Sequence, residues 1–261
     1  MFSFCDTGVR GLGIESPQVF LVSSFDLSLY DFSLLQETLE RELPEHKRDA
    51  LLFATPSFNL EIISKKKEAF KSLSTSPDDQ FGFALVKEEI NEAVLKNDQP
   101  AAAAKITELM MKEKNITLNI AITGESGAGK STFVNALRGL SDDDEGAAPT
   151  GVTETTSEVT PYPHPNYPNV TLWDLPGIGT TKFPADEYLE LVGFEKFDFF
   201  IVVSATRFTE NDVKLAQEIQ RMKKKFYFVR SKIDNNMRAE GRKRDFSEEG
   251  TLTKIRDNCV Q

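Results

Sequence analysis

Eight consecutive residues, Gly124-Glu125-Ser126-Gly127-Ala128-Gly129-Lys130-Ser131, run in the order G-x-x-x-x-G-K-S. Glycines let a backbone fold tightly enough for several N–H groups to point into one anion-sized nest. A lysine placed next can reach the β- and γ-phosphates of a nucleotide, and the serine hydroxyl is a hard oxygen ligand suited to Mg²⁺. Thr132 opens the next segment and belongs with the phosphate-contacting residues. Two further clusters extend the chemistry. Asp174-Leu175-Pro176-Gly177 offers a carboxylate that can hold Mg²⁺ through its water, and a glycine N–H for a γ-phosphate. Ser231-Lys232-Ile233-Asp234 offers a carboxylate that can accept from the N1–H and N2–H₂ edge of guanine. Adenine lacks that donor pattern, and a site built on such pairing discriminates by roughly four orders of magnitude. Lys232 would lay its stem along base and ribose.

The spacing of apolar residues supplies the scaffold these clusters need. Residues 116–123 form an apolar, β-branched run of strand length, and residues 132–138 read as a helix, so the glycine loop sits in strand–loop–helix context. That context counts against a chance Gly-rich turn. Asn169–Trp173, Phe197–Ala205 and Phe226–Val229 are further buried strands, and Pro17–Val22 is another. Helices are expected from Asp31 as cap to about Leu43, at 50–54, over 59–71, at 83–96, from Pro100 onward, over 211–224, and finally behind Ser247. The alternation at 157–160 predicts an exposed strand, with Pro161, Pro163 and Pro165 favouring an edge or loop. Residues 235–245 read as a polar loop. Strands alternating with helices predict an α/β fold, a mostly parallel sheet flanked by helices, with a helical appendage. Ligands in such sheets sit beyond the strand carboxyl ends, where all three clusters fall.

Between the glycine loop and Asp174 lie Thr150, Thr153, Thr155 and Thr156, one of which should complete the metal site; Thr156 is the choice. Ile178 occupies the position after Gly177, where Ras-type enzymes carry a water-orienting glutamine. Hydrolysis then needs another group or a partner, and Glu154 is the nearest acidic candidate, a solvated loop charge being the alternative. Lys65-Lys66-Lys67 reads as a solvated helix face in preference to a membrane-facing patch.

Acidic residues outnumber basic ones by 41 to 31, for a net charge of −10. That balance argues against a nucleic-acid partner, which needs a basic face, and leaves room for a local phosphate pocket. Cys5 and Cys259 are too few for a disulfide framework, so a reduced, cytoplasmic setting is expected. No apolar run approaches the roughly 18 residues of a spanning helix. A secretion signal and an N-myristoylation glycine are also missing from the start of the sequence.

The motifs in combination (124–131, 147–156, 173–179, 199–207 and 227–234) resemble the immunity-related, interferon-inducible GTPases. The resemblance implies GTP binding with Mg²⁺, slow hydrolysis to GDP, and self-association through the nucleotide domain. It also implies action on intracellular membranes around pathogens, although most of that family's C-terminal helical region, with its membrane-binding helix, has no counterpart here. A glutamate matching Glu154 is implicated in hydrolysis in that family, and Lys130 matches the subgroup with an intact loop lysine. The order departs from the family. Residues 14–71, including the stretches at 20–26 and 29–32, resemble the segment that comes after the family's last nucleotide-domain helix, yet here they come first, which implies a circularly permuted arrangement or a fragment spanning two tandem copies.

The expected organisation is therefore a last strand and base loop at 1–31 and a helical segment at 32–71. A linker at 72–80, a helical hairpin at 81–115 and the main nucleotide domain at 116–261 complete it. Ser23 and Ser24 would supply the final base-contacting loop, and Pro17–Val22 would dock beside the strand at 226–229, in cis or onto a neighbouring copy. The function expected is GTP hydrolysis. A GTP-dependent interaction module without appreciable turnover is the alternative, and Asp234 disfavours an ATPase.

Overall fold

A run in which almost every residue is apolar cannot be amphipathic, and Phe199–Ser204 accordingly becomes a strand buried on both faces of the sheet. In the computed structural model, residues 18–57, 60–73, 117–151, 158–177 and 188–260 are described. The elements in chain order are β1 (Val19–Leu21), α1 (Phe32–Glu42), α2 (Glu45–Ala54), α3 (Leu60–Leu73), β2 (Leu118–Thr123) and α4 (Lys130–Leu137). Next come β3 (Thr160–His164), β4 (Tyr167–Asp174), α5 (Tyr188–Val192), β5 (Phe199–Ser204) and α6 (Glu210–Arg221). The last elements are β6 (Lys225–Arg230), α7 (Ile233–Glu240) and α8 (Glu248–Val260). The hairpin expected at 81–115 lies outside the described residues, as do Thr153, Glu154, Thr155, Thr156 and Ile178.

The sheet has six strands in the order β1-β6-β5-β2-β4-β3. β1, β6, β5 and β2 run parallel, with Ile120 opposite Phe199, Ile201 opposite Tyr227, and Phe20 opposite Val229. The N-terminal strand therefore docks in cis, parallel to β6, extending the sheet within one chain. Its outer edge is closed by one residue. Asp31 donates its N–H to Leu21 O at 2.9 Å, and its Oδ2 accepts from Leu21 N at 3.0 Å. Arg256 on α8 grips the same carboxylate at 2.7 and 2.8 Å. The sequence position of Asp31 predicts a cap for α1; its side chain is instead committed to the sheet edge and the C-terminal helix. Edge strands left open invite pairing with other chains, and this clip takes up the N–H and C=O of Leu21 that such a chain would use.

Two compact units result, the first comprising 1–37, 119–162 and 172–261 and the second 38–118 and 163–171. The first unit carries the main core, in which Phe200, Val202, Phe228, Leu21, Tyr188 and Ile219 pack together. In the second, α2 and α3 are joined by Lys66, whose Nζ donates to Phe53 O at 3.1 Å, Thr55 O at 2.6 Å and Ser57 Oγ at 2.9 Å. It thus satisfies carbonyls at the C-terminus of α2 that the helix leaves open. Burial lowers its ammonium to about 8. The lysine run is therefore only partly a solvated face: Lys65 pairs outward with Glu61 while Lys66 turns in.

Two local expectations are corrected. The strand expected before the prolines is instead β3 itself, Thr160–His164, which contains Pro161 and Pro163 and lies at the sheet edge. Only there does a missing N–H cost no ladder bond. Residues 233–240 form α7 and not a loop. Its inward contact comes mainly from Ile233, fully buried, and Met237 one turn on, too sparse a stripe to read as amphipathic.

Candidate functional site

The loop after β2 is built around glycines that no other residue could replace cheaply. Gly127 and Gly129 have φ of 78° and 89°, in the left-handed region. Gly124 has φ of 134°, and a Cβ there would lie 2.0 Å from Val203 O. Between them, Glu125, Ser126 and Ala128 form the turn, closed by Ala128 N donating to Glu125 O at 3.2 Å. Lys130 is 5% exposed, and its Nζ donates to Gly124 O at 3.2 Å and Glu125 O at 3.0 Å. The ammonium is thus held inside the loop that precedes it. Thr132 is half-buried in the first turn of α4.

Beside the loop, Ser131 Oγ donates to Asp174 Oδ2 at 2.6 Å. Asp174 ends β4 and is 1% exposed. A hydroxyl and a buried carboxylate side by side at the end of a phosphate nest are hard oxygen donors of the type Mg²⁺ takes alongside water and phosphate. The residues fit the ion. Gly177 leans on the loop: a Cβ there would come within 3.0 Å of Ser126 N.

The third cluster meets the first physically. Ser231 Oγ donates to Ala128 O at 2.7 Å, and Lys232 Nζ donates to Gly127 O at 2.8 Å. Lys232, with φ of 58°, opens α7 and directs its chain across the glycine loop. Asp234 comes two residues later, in the first turn. Arg230 donates to Ser231 O and, at 3.0 Å, to Asn236 Oδ1, fixing this turn from beneath. Ser23 comes alongside because Val22 N donates to Arg230 O at 2.9 Å, so β1 and β6 end together. Ser24 is half-buried beyond it, and Asp26 shapes the loop by accepting from Ser28 N at 2.9 Å. Ser23 Oγ and Asp234 Oδ1 are both buried without a hydrogen-bond partner among the described residues. Orphaned buried acceptors are costly, and a ligand carrying donors would satisfy them.

Three residues near the site carry no sequence signal that singles them out as strongly as the motifs. Asn135 holds the loop after α4: its Nδ2 donates to Ala148 O at 2.9 Å and its Oδ1 accepts from Ala148 N at 2.7 Å. An asparagine inside a helix is a weak helix former, which is the one available hint of a side-chain task. Tyr188 bonds Thr123 and Pro176, and Asp212 lies near Lys130 and Glu125. Tyr188 leaves no local signature, because its partners are remote in sequence; Asp212 reads only as part of a helix cap with Thr209, and its approach to Lys130 and Glu125 is not visible locally.

Asp212 is fully buried and accepts from Thr209 N at 3.0 Å and Thr209 Oγ1 at 2.9 Å in a capping box at the start of α6. Burial, reinforced by the Glu125 charge, pushes its carboxyl up to about 6. The folded state therefore keeps this proton while the unfolded chain, titrating near 3.9, has lost it. Its contribution is fully present below about pH 4 and is lost as pH rises to about 6. Asp212→Asn keeps the capping geometry without the charge. Relative to the parent, the variant should gain about 3 kcal/mol of stability between pH 4 and 6 and nothing further above that. Urea melts of both proteins across the interval check this; a flat difference curve would mean Asp212 ionises normally.

A glycine nest between a parallel strand and a helix, with a strand-ending aspartate beside it, defines the P-loop class of nucleotide-binding folds. The profile of the family described as Interferon-inducible GTPase (IIGP) matches residues 3–81 and 83–261. Interferon-inducible GTPase 1 of Mus musculus is 43% identical over 217 residues, covering 80% of this chain and 51% of that protein. Interferon-inducible GTPase 5 of Rattus norvegicus is 45% identical over 198 residues, covering 74% and 43%. T-cell-specific guanine nucleotide triphosphate-binding protein 2 of Mus musculus is 47% identical over 182 residues, covering 69% and 43%. Among solved structures, a GTP-binding protein from Sulfolobus solfataricus in complex with GDP aligns at a TM-score of 0.30 and 18% identity, covering 71% of this chain and 57% of that one. The chain belongs to the interferon-inducible GTPase family. It spans about half the length of the curated relatives it matches.

Proposed function

We propose that this chain binds GTP with Mg²⁺ and hydrolyses it to GDP, slowly alone and faster on self-association. The observation that carries the reading is the bridge between the two ends of the site. Lys232 reaches Gly127 O at 2.8 Å, so the base-end turn and the phosphate loop lie within the span of one nucleotide. Asp234 Oδ1 and Ser23 Oγ supply partnerless acceptors at the base end, matched to the donors on the guanine edge. At the other end the loop amides and Lys130 would receive the phosphates, with Gly177 N–H at the γ-position. Ser131, Asp174 and Thr156 would hold Mg²⁺, which when bound supplies Lewis-acid stabilisation of charge on the transferring phosphoryl group. Positioning and fixed dipoles then account for catalysis, with Glu154 orienting water.

In the cell the family membership supports a cytoplasmic GTPase of innate immunity that self-assembles at intracellular membranes. Among the described residues no helix is long and apolar enough to cross a bilayer. Because Ile178 stands where a water-orienting glutamine would be, a GTP-dependent module without turnover is the competing reading. Single-turnover hydrolysis at several protein concentrations separates them. A rate rising with concentration supports the GTPase, and a concentration-independent rate at background supports the module. Binding of ATP in preference to GTP would defeat both.

A further inference from the structure

Gly177 N–H shares one peptide unit with the Pro176 carbonyl, and that carbonyl is held in place. The unit joining Pro176 to Gly177 is planar and trans, so its C=O and N–H point in opposite directions. Tyr188, wholly buried at the start of α5, donates its hydroxyl to Pro176 O at 2.8 Å. The phenol has one proton, so the second contact, 2.8 Å from Thr123 Oγ1, is Thr123 donating to Tyr188. Thr123 is the last residue of β2, directly before the glycine loop, and is itself fully buried. A hydrogen-bonded chain thus runs from the root of the phosphate loop through two hydroxyls to the carbonyl of the Pro176 peptide.

The residue that carries this N–H lies against the loop. Gly177 is close enough that a Cβ would meet Ser126 N at 3.0 Å, while Tyr188 lies on the carbonyl side. We infer that Tyr188 is a positioning residue: by holding the Pro176 carbonyl from within the buried core, it aims Gly177 N–H at the third phosphate and so sets how tightly a triphosphate is held relative to a diphosphate. Tyr188 never touches nucleotide; it acts through one peptide plane. Burial pushes its phenol well above the ordinary tyrosine value, so the hydroxyl stays a donor throughout the physiological range. Its ring is held by the main core, which includes Leu175, Val192 and Leu189. A rigid ring with one fixed hydroxyl is a firmer rest for a peptide plane than a water or a flexible side chain.

The inference rests on the GTP-binding reading, and the two can fail separately. Y188F keeps the ring and removes the donor, leaving Pro176 O free to turn. Affinities for GDP and for the non-hydrolysable triphosphate GppNHp are measured with Mg²⁺ by competition against a fluorescent GDP. The expected result is an unchanged GDP affinity within about twofold and a GppNHp affinity lowered about three- to tenfold, the range for one neutral hydrogen bond. T123V, which keeps the Tyr188–Pro176 bond, should leave the ratio of the two affinities near that of the parent.

A purely structural role would lower the melting temperature and weaken both nucleotides together. Equal losses in Y188F, no change in either affinity, or a ratio shifted as far by T123V would each overturn the assignment while leaving guanine-nucleotide binding intact. Failure of the unaltered protein to bind either nucleotide would overturn both readings at once.

Discussion

Replacing Asp234 by asparagine is expected to lower GTP affinity by roughly 10²–10⁴ and to raise affinity for xanthosine triphosphate. Guanine presents N1–H and an exocyclic amino group, two donors that a carboxylate accepts as a pair. An asparagine amide keeps one acceptor but turns the other position into a donor, facing the amino group with like polarity. Xanthine carries a carbonyl where guanine carries the amino group, so the amide then finds a match. Burial sets the size of the effect. Asp234 Oδ1 has no hydrogen-bond partner among the described residues, so the interaction with base replaces a desolvation cost that is already incurred. Competition titrations with GTP, XTP and ATP against a fluorescent nucleotide measure all three preferences. Unchanged discrimination between guanine and xanthine would remove Asp234 from the base site and with it the assignment of the ligand.

Much of this site is readable in the sequence because its residues are consecutive. Glycine loop, Asp174–Gly177 and Ser231–Asp234 are short words at strand ends, and the strands announce themselves through uninterrupted apolar runs such as Phe199–Ser204. Residue types at fixed spacing also specify what each cluster binds, since hard oxygens, amides and a carboxylate differ in the partners they accept. The features that escape such a reading are tertiary. Asp31 looks like a helix cap from its position before α1, yet its carboxylate is taken by Leu21 N and by Arg256 on α8, 225 residues away. Tyr188 and Asp212 read as ordinary helix residues, because Pro176, Thr123 and Lys130 come near only in the fold. The polar helix α7 escapes for a different reason. Few of its residues are buried, so periodicity carries little signal, and its place is set by Ile233 and the left-handed turn at Lys232.

The place of β1 ahead of the other strands in the sequence is consistent with the same physics. A strand placed at the N-terminus can complete the sheet if it finds the correct edge and if its own outer edge is closed. β1 satisfies the first through its register with β6 and the second through the Asp31 clip. Ser23 then emerges where β6 delivers Ser231, so the base end of the site is assembled from chain segments roughly 200 residues apart in the manner of a switch point between strand ends. Each cluster of the site depends on a strand end and not on its position along the chain.

Gly124→Ala should be the most damaging single substitution in the phosphate loop, and the comparison with Gly127→Ala explains why. Both positions have positive φ, so each alanine suffers backbone strain of about 1–2 kcal/mol. At Gly127 no atom of the described residues lies within 4 Å of the added Cβ, so strain is the cost that counts. At Gly124 the Cβ would lie 2.0 Å from Val203 O and 3.0 Å from Val203 C, both backbone atoms. Val203 belongs to β5, which is hydrogen-bonded on one side to β2 and on the other to β6. A carbonyl in a central strand cannot withdraw without breaking ladder bonds in the middle of the sheet, so the clash cannot be relieved as it could against a flexible side chain. The expected loss exceeds about 4 kcal/mol, beyond the range of ordinary substitutions. Denaturant melts of the two variants should therefore differ by several kcal/mol, with Gly127→Ala folded and Gly124→Ala largely unfolded or unable to form the β2–β5 pairing. Similar melts for both would mean that the loop leaves β2 by another path, and that Gly124 is needed for turning alone.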